Sequence, residues 1–553
     1  MAGLELVLIL LAVSAGLRIV AERVSVPFSA LLVVGGLLLA LTPGLPHVEL
    51  SPDVLFVVFV PPLLYSGAVA FPLRDFRGQL GPIVRLSVLM VLASTAIVAV
   101  TAHELDAGFT WPAAFILGAI VSPPDPVAVL SVMRSLRVPR AVESLLEGEG
   151  LLNDATALVT YRLAVAAAVT GVFSPWIAAA QFFAGAAGGI AIGVIVALLV
   201  IRALRLTQSV PVAENTVSLL TPFVAYLPAE RLHVSGVIAV VAAAMTVART
   251  GPRVASPTTR VQNAAMWTVV TFLLESLVFI IVGLQLPSVM HALEHYPLRV
   301  LLQQTVAVTL CLVLVRFAWV MPTTYAARAL GRWLRGSKKP LPPWRSSLFV
   351  AWAGLRGGDS LVIALALPFT TAAGAPFPAR DQIVFITFGV IFATLVLQGP
   401  TLAPIARLLG LRGTRGVGLE ASEEAHARLT AAEAGLRALT TPALAQSPHP
   451  EVVREVEQQH IKRAQQWASR EATLREPGAS VAETHTLAAG SPEAGVLAES
   501  REAEYRRIRT AMIAEEREAL IRMRDAGEIG DGVMRDILRD LDFESIMLEH
   551  QSS

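Results

Sequence analysis

The chain has 553 residues, of which 54% are hydrophobic and 16% are charged, and its mean hydropathy is +0.62. A composition this apolar excludes an ordinary soluble domain and indicates a membrane protein. The formal net charge is only +1, but apolar segments fill the first 410 residues and most acidic residues lie beyond Glu420. The sequence therefore predicts a transmembrane domain over residues 1–410 and a cytoplasmic C-terminal region over residues 411–553.

Apolar segments near the length of about 20 residues that a bilayer requires recur through the first region. The first has no basic residues before it and is followed at once by another, which predicts a retained helix rather than a cleaved signal peptide. The pattern predicts an all-α polytopic membrane protein with about thirteen transmembrane helices, over residues 3–20, 27–42, 53–70, 82–102, 111–133, 147–170, 176–201, 212–228, 233–248, 264–286, 299–326, 346–368 and 381–408.

Basic residues support this topology. Lysines and arginines collect in every second connection between the predicted spans, as they do in cytoplasmic loops. The intervening connections hold only Arg231, Arg299 and Arg380. The alternation predicts an odd number of spans, with the N-terminus outside and the C-terminus in the cytoplasm.

The fifth predicted span is interrupted by prolines. Pro123, Pro124 and Pro126 remove backbone donors and force the residues before them out of helical geometry, so the helix must break there. Asp125 followed by Pro126 is typical of the N-cap and first position of a second half-helix, which we predict to continue over 127–133.

The twelfth predicted span breaks at the glycine-rich stretch 353–360. There we expect Arg356 to face the negative end of the half-helix before it, and Asp359 or Ser360 to cap the half-helix after it. Interrupted helices at matching positions in two halves are typical of inverted-repeat transporters with a site near the bilayer midplane. We therefore predict that spans one to six pair with spans eight to thirteen.

The sixth predicted span carries a carboxylate, Asp154, in an apolar run. Placing a charged side chain at the membrane centre costs about 2.5 to 3.5 kcal/mol of insertion free energy, so the presence of Asp154 there requires a physical reason. One reason is the transport of an ion or proton along a hydrated cavity; the other is neutralisation by a fixed partner. Glu149 and Asn153 share one helix face, and Gly150 and Asp154 form the next pair around the helix.

Five motifs occur in order along the transmembrane domain. They are Ser-Pro-Pro-Asp-Pro-Val-Ala-Val (122–129), Glu-Gly-Glu-Gly-Leu-Leu-Asn-Asp-Ala-Thr-Ala-Leu-Val (147–159), His-Val-Ser-Gly-Val-Ile-Ala-Val (233–240), Phe-Leu-Leu-Glu-Ser-Leu-Val-Phe-Ile-Ile-Val-Gly-Leu-Gln-Leu (272–286) and Gly-Leu-Arg-Gly-Gly (354–358). Together they resemble the sodium/proton exchanger branch of the monovalent cation:proton antiporter superfamily in its bacterial form, over nearly all of residues 1–410.

The resemblance implies a secondary active transporter of the bacterial inner membrane, in which a core bundle moves against a dimerising scaffold to give alternating access. Na⁺ and H⁺ would compete for Asp154, with Asn153 as its neutral neighbour and Asp125 as the acidic residue of the unwound segment. In this family an Asn-Asp pair accompanies electroneutral one-for-one exchange. The polar residues that would support the core are Glu149, Arg356 and Glu275.

The chain departs from the commoner family pattern at four positions. Pro124 stands where many relatives have threonine and Gly150 where they have serine, so two hydroxyl ligands are missing. Ser66 stands where some archaeal relatives carry glutamate, and Asp359 adds an acid where a small residue is more usual. Exchange is still expected, but the choice among Na⁺, Li⁺ and K⁺ is left open.

Several of these residues also have a structural interpretation. Asp125 is a suitable helix cap, and capping is compatible with lining the site. We expect Arg356 to pair with Glu275 or Glu149 rather than to contact the ion. Asp359 is interpreted first as a helix cap and second as a further titrating carboxylate.

The C-terminal region contains a predicted linker near 477–495 and a predicted helical hairpin over 502–548, broken at 527–532. It is expected to bind itself or an unidentified partner. The sequence has no phosphate loop, metal cluster or nucleotide fingerprint and one cysteine, Cys311, so we expect no enzymatic activity, cofactor or nucleic-acid partner. Two other functions stay open: an ion-gated sensor or channel, and a transporter of organic or anionic substrates on a related scaffold.

Overall fold

The structure is a computed structural model that describes residues 2–23, 28–42, 52–106, 108–126, 129–130, 133, 136, 138–171, 175–207, 210–293, 296–335, 342–371, 374–411, 414–441, 444, 447–475 and 497–550. These residues are helical almost throughout, and the one β-bridge recorded among them joins Thr370 and Pro376. The described part of the chain is therefore all-α, as the sequence predicts.

A helix occupies each apolar segment of the first 410 residues, because a helix satisfies every backbone polar group of a segment in lipid. These helices are α1 (Ala2–Arg23), α2 (Phe28–Ala40), α3 (Pro52–Ala70), α4 (Leu73–Val84), α5 (Val91–Leu105), α6 (Trp111–Val121), α7 (Arg140–Thr170), α8 (Pro175–Leu206), α9 (Pro211–Arg231), α10 (Gly236–Val254), α11 (Pro257–Ala292), α12 (Leu298–Arg335), α13 (Trp344–Trp352), α14 (Gly358–Leu365), α15 (Arg380–Phe392) and α16 (Leu402–Leu408). Helices α7, α11 and α12 extend beyond the apolar segments that predict them, since their charged ends continue the helix.

Some of these helices are long and apolar enough to cross a membrane, and others are apolar but shorter. The six long stretches are Gly78–Leu105, Ala179–Leu206, Gly236–Val254, Pro257–His291, Leu298–Leu330 and Arg380–Leu408. The shorter apolar helices are Val7–Ala21, Phe28–Ala40, Val57–Ala70 and Trp111–Val121. The described chain is thus a multi-helix membrane protein whose helices differ in length.

Two helices sit at the centre of the transmembrane domain. Helix α7 packs against α3, α4, α5 and α6, and α14 packs against α3, α6, α11 and α15. Both therefore pack against α3 and α6 from within the bundle. Their position matters because α7 carries Asp154 and α14 carries Asp359.

Two π-helical turns adjoin this centre. The first, Arg85–Met90, joins α4 to α5, and the second, Ala393–Gln398, follows α15. A π turn frees backbone groups from the regular ladder. At the first turn Trp319 Nε1 donates to the carbonyl of Arg85 at 3.2 Å, and at the second Gln398 Nε2 donates to the carbonyl of Trp352 at 2.5 Å. Both turns therefore bind neighbouring helices through side-chain hydrogen bonds.

The C-terminal region forms its own helical unit. Its helices are α17 (Thr414–Ala438), α18 (Pro450–Arg475), α19 (Leu497–Ala526) and α20 (Asp531–His550). Helices α19 and α20 meet at the turn over 527–530, where Gly527 has a φ of +77° that suits glycine at the end of a helix. The predicted linker near 477–495 lies outside the described residues.

A buried ionic network joins the helices of this unit. Glu516 on α19 accepts a hydrogen bond from His460 on α18 at 2.8 Å and one from Arg509 at 3.1 Å. Arg509 also pairs with Glu544 on α20 at 2.5 Å. Burial alone raises the pKa of Glu516, but the His460 hydrogen bond and the Arg509 charge outweigh it and leave that pKa lowered. The carboxylate is therefore ionised at neutral pH, and together with Arg509 it links α18, α19 and α20.

The C-terminal unit docks on basic helix ends of the transmembrane domain. Arg260, at the start of α11, donates through Nε to Asp542 Oδ2 at 2.7 Å and through Nη2 to the other carboxylate oxygen. Arg517 donates to the same Asp542 at 3.0 Å, and Arg253 pairs with Asp525 at 2.7 Å. The arginines of predicted basic loops are thus matched by acids of the C-terminal region.

Candidate functional site

Helix α6 ends at Val121, and the chain over 122–125 is not helical. Pro126 is helical again, so Asp125 directly precedes a new helical segment. The Ser122 hydroxyl is buried and accepts a hydrogen bond from Thr95 at 3.2 Å. Of the half-helix predicted over 127–133, several residues lie outside the described part of the chain.

A second interruption separates α13 from α14 over 353–357. The N-cap of α14 is Gly357, in extended geometry with a φ of −108°, and no side chain caps it. The prediction that Asp359 or Ser360 caps this helix is therefore wrong, because the helix starts two residues earlier than that role requires. Asp359 lies in the first turn instead, where the positive end of the helix favours a carboxylate.

The two interruptions touch each other. The backbone N–H of Asp125 donates to the carbonyl of Leu355 at 2.8 Å. A Cβ atom at Gly357 would lie 2.1 Å from Asp125 Oδ2, so only glycine allows this approach. Helix α7 is pressed against the first interruption in the same way, because a Cβ at Gly150 would lie 2.2 Å from Pro126 Cγ. The absence of a side-chain hydroxyl at Gly150 thus has a packing reason.

Asn153 is held by the first interruption. Its Nδ2 donates to the carbonyl of Pro124 at 2.6 Å, a carbonyl that the broken helix leaves outside a regular ladder. This bond fixes the orientation of the amide, since Nδ2 can only donate and the carbonyl can only accept. The other end of the amide, Oδ1, is buried and has no hydrogen-bond partner among the described residues. Asn153 Oδ1 is therefore an oriented hydrogen-bond acceptor without a partner among the described residues, at the position next to Asp154.

Three carboxylates gather around this point. Asp154, Asp125 and Asp359 are all half-buried, and Asp154 interacts electrostatically with the other two. Among the described residues no arginine, lysine or histidine forms an ion pair with Asp154. The interpretation of Asp154 as a carboxylate with a fixed cationic partner thus finds no support in the described chain.

Glu149, one turn before Asn153, is paired with an arginine that is not among the predicted site residues. Both of its oxygens bind Arg316 on α12, at 2.5 Å and 2.8 Å, and both side chains are buried. Of the two partners predicted for Arg356, Glu149 is therefore not hydrogen-bonded to it in this conformation, and pairing with Glu275 stays a prediction. Arg316 was absent from the predicted site, although it is a charge inside an apolar span, the same signal that identifies Asp154.

Arg356 is part of the second interruption and is buried. Its backbone N–H donates to Thr394 Oγ1 at 3.1 Å, whereas Nε and Nη1 have no hydrogen-bond partner among the described residues. The carbonyl of Trp352, at the negative end of α13, accepts instead from Gln398 and from the N–H of Gly354. The Arg356 side chain, which is predicted to face that end, therefore does not donate to the Trp352 carbonyl.

Comparison with known proteins identifies the family of this chain. The model of the transmembrane domain of sodium/hydrogen exchangers matches residues 9–408. The chain belongs to the sodium/hydrogen exchanger family. The membership confirms the resemblance seen in the five motifs, and it agrees with an all-helical membrane domain.

Individual relatives of this exchanger extend over most of its length. An uncharacterized Na⁺/H⁺ exchanger of Mycobacterium tuberculosis is 33% identical over 99% of this chain and 96% of the relative. A sodium, potassium, lithium and rubidium/H⁺ antiporter of Bacillus pumilus is 36% identical over 71% of this chain and 59% of the relative. The solved sodium proton antiporter MjNhaP1 of Methanocaldococcus jannaschii has a TM-score of 0.55 at 18% identity, over 72% of this chain and 98% of that one. The last similarity shows a shared fold.

Arg380 supports the second interruption in this exchanger, and Glu275 lies on a helix that packs beside it. Arg380, one of the few basic residues outside the predicted cytoplasmic loops, donates to the carbonyls of Leu365 and Leu367 at the end of α14. It therefore satisfies the negative end of the helix that begins beside Asp359. Glu275 is half-buried on α11, one turn before Val278, whose side chain packs where Gly358 lacks one.

A small cavity opens between the first interruption and α7 in the exchanger. Its volume of about 10 Å³ is close to that of one water-sized sphere. The lining residues are Pro124, Asp125, Pro126, Val129, Leu146, Glu149 and Ala353. The carboxylates of Asp125 and Glu149 thus border one small space beside the two interruptions.

Proposed function

We propose that this exchanger moves Na⁺ one way and H⁺ the other by alternating access, with Asp154 as the group that binds each in turn. The observation that carries the assignment is that Asp154, which forms no ion pair within the described residues, adjoins the oriented amide oxygen of Asn153, which has no hydrogen-bond partner there. Family membership supports the reaction, and it favours neither of the two other functions. A sensor or channel, or a carrier of organic substrates, has no specific observation behind it.

The residues at the site suit a hard monovalent cation. Na⁺ prefers oxygen ligands, and Asp154 and Asn153 offer a carboxylate and an amide oxygen on adjacent positions of α7. The carbonyl of Pro124 has a second lone pair beyond the one that Asn153 occupies. Binding of a cation would satisfy the buried amide oxygen, which otherwise bears the cost of desolvation.

The same carboxylate is suited to carry the proton. In a partly dehydrated site Asp154 is neutral when it holds either H⁺ or Na⁺, and it is charged when it holds neither. The charged form bears the cost of placing a charge in a membrane, so the two loaded forms cross more easily than the empty one. Because one carboxylate exchanges one positive charge for another, we propose electroneutral one-for-one exchange.

The nearby carboxylates bear on this stoichiometry. Asp125 and Asp359 interact electrostatically with Asp154, so each cation that enters meets more than one negative charge. We propose that both assist cation entry while only Asp154 alternates between its two loads. This assigns Asp125 a role in lining the site as well as in starting the second half-helix.

Cation choice is proposed to be broader than Na⁺ alone. Pro124 and Gly150 remove two hydroxyl ligands, and the Pro126 ring occupies the space beside Gly150. A site with fewer fixed ligands discriminates less by size. The name of the Bacillus pumilus relative includes four alkali cations, which supports the same expectation for Li⁺ and K⁺ here.

The proposed setting is a dimer in a bacterial inner membrane. We propose thirteen spans in inverted repeats, with α6 and the segment beginning at Pro126 forming one interrupted span and α13 and α14 the other. The N-terminus lies outside, and the C-terminal region lies in the cytoplasm as a separate domain. The supporting observations are the alternation of basic residues and the contact between Asp125 and Leu355.

The experiment for the function is uphill flux in proteoliposomes. With an imposed pH gradient, purified protein is expected to accumulate Na⁺ against its own gradient, and Li⁺ and K⁺ to compete with it. A valinomycin-clamped membrane potential separates electroneutral from electrogenic exchange. A channel would only dissipate the cation gradient, and a carrier of organic substrates would ignore Na⁺, so either outcome rejects the proposal.

Removing the Asn153 oxygen is expected to weaken cation binding. In Asn153→Ala the apparent KM for Na⁺ should rise about tenfold, because one ligand to a charged group is lost. Asn153→Asp, which keeps an oxygen at the same place, is expected to retain transport. Measured by Na⁺-dependent proton release in vesicles, an unchanged KM in the alanine variant would remove Asn153 from the binding site.

A further inference from the structure

Glu149 interacts with two buried arginines, Arg316 and Arg356. Arg316 holds both of its oxygens, at 2.5 Å and 2.8 Å. Arg356 is equally buried, at 2% exposed, and interacts electrostatically with both Glu149 and Arg316. Two of its nitrogens, Nε and Nη1, have no hydrogen-bond partner among the described residues. One carboxylate therefore interacts electrostatically with two guanidinium groups and is hydrogen-bonded to one of them.

This arrangement is costly as it stands. A guanidinium group is always charged and carries five N–H donors, so burying one without partners is unfavourable. A neutral residue at position 356 would avoid that cost if the position served only to fill space. An unsatisfied buried charge is better explained by a second arrangement of the same groups in which it is satisfied.

The two arginines contact different segments around the candidate site. Arg316 also donates to the carbonyl of Val350 at 3.1 Å, so it joins α7 to α13. Arg356 lies between Leu355, which accepts from the Asp125 N–H, and Gly357, which packs on the Asp125 side chain. If Glu149 exchanged Arg316 for Arg356, α7 would therefore move away from the end of α13. It would move toward the second interruption, which contacts Asp125.

We propose that Arg316 and Arg356 are positioning residues that bind Glu149 in turn, one in each of two conformations of the transport core. The structure shows the conformation in which Arg316 is bound. In the other, Glu149 binds Arg356 and the face of α7 that presents Asn153, one turn away, moves with it. The inference rests on the proposed function, because it describes how the same site changes access.

The test compares Arg356→Gln with wild type and with Arg202→Gln, an exposed arginine on α8 that serves as control. If Glu149 must bind Arg356 during the cycle, Arg356→Gln should lower kcat about tenfold or more while leaving the KM for Na⁺ unchanged. If Arg356 is a static support that makes no bond to Glu149, kcat stays at the wild-type value. The latter result overturns the proposal.

A second measurement does not depend on transport. Hydrogen exchange of peptides from α7 and from 344–365 is compared with and without Na⁺, since both segments would move when Glu149 changes partner. Wild type is expected to show a Na⁺-dependent difference in both segments, and Arg356→Gln to lose it. A difference that persists in Arg356→Gln overturns the proposal.

Folding is controlled by thermal unfolding in detergent. If Arg356→Gln does not fold, Arg356→Lys decides, because lysine keeps the charge but cannot form the two-point contact with a carboxylate. It should then transport more slowly at an unchanged KM; wild-type kcat in that variant overturns the proposal. Failure here is distinct from failure of the proposed function, since the latter is rejected only if wild type does not exchange or if exchange does not need Asp154.

Discussion

Asp154→Asn is expected to abolish cation/proton exchange in a protein that still folds and inserts. The amide cannot take up a proton and offers a cation no negative charge. A Na⁺ ion in the site would then bear the cost of an uncompensated charge in the membrane, about 2.5 to 3.5 kcal/mol, which corresponds to roughly a 100-fold loss of rate. Na⁺-driven proton flux in everted vesicles measures the effect.

The matched control for this variant is Glu104→Gln, an exposed carboxylate at the end of α5. Its flux should equal that of wild type, and both variants should show the wild-type elution volume in detergent. Near-normal flux in Asp154→Asn would remove Asp154 from the transport cycle. Asp125 and Asp359 would then be the remaining carboxylates of the site to test by the same substitution.

The sequence predicts the helices well because the bilayer limits what a segment can do. An apolar segment in lipid must be helical, so the described residues of the apolar segments are mostly helical, and the interruption near Pro124 follows from proline chemistry. Helix ends are harder to predict. Charged residues such as Arg140 continue a helix without adding to the apolar signal, and so α7 starts seven residues before the span predicted from 147.

The candidate site is predicted less completely, because which side chains meet depends on packing. The position of Asp154 in an apolar run is visible in the sequence, whereas the partner of Glu149 depends on where the folded chain places Arg316 of α12. From the sequence alone, Arg316 and Arg356 are equally plausible partners of Glu149. The cap of α14 illustrates a second limit, since Gly357 takes that position where a side chain would collide with Asp125, and a cap prediction based on side-chain oxygens overlooks it.

Asp542→Asn is expected to loosen the C-terminal region from the transmembrane helices. Asp542 is 2% exposed and accepts hydrogen bonds from Arg260 and Arg517, so the amide leaves two arginines facing a neutral group. Removing one partner of a buried ion pair costs about 3 kcal/mol. We expect lower thermal stability of the full-length protein and faster hydrogen exchange at the start of α11, where Arg260 lies.

A double-mutant cycle with Arg260→Gln separates this contact from general destabilisation. Because Arg260 also donates to the carbonyl of Ala255 at 2.5 Å, its replacement has a cost of its own, and only the coupling between the two substitutions reports the ion pair. That coupling should be about 1 to 3 kcal/mol. Asp536→Asn on the same helix, with a side chain 69% exposed, should change stability by less than about 0.5 kcal/mol. Additive losses from Asp542→Asn and Arg260→Gln would mean that α20 is held to α11 by apolar packing, and the charges at this contact would then contribute nothing to docking.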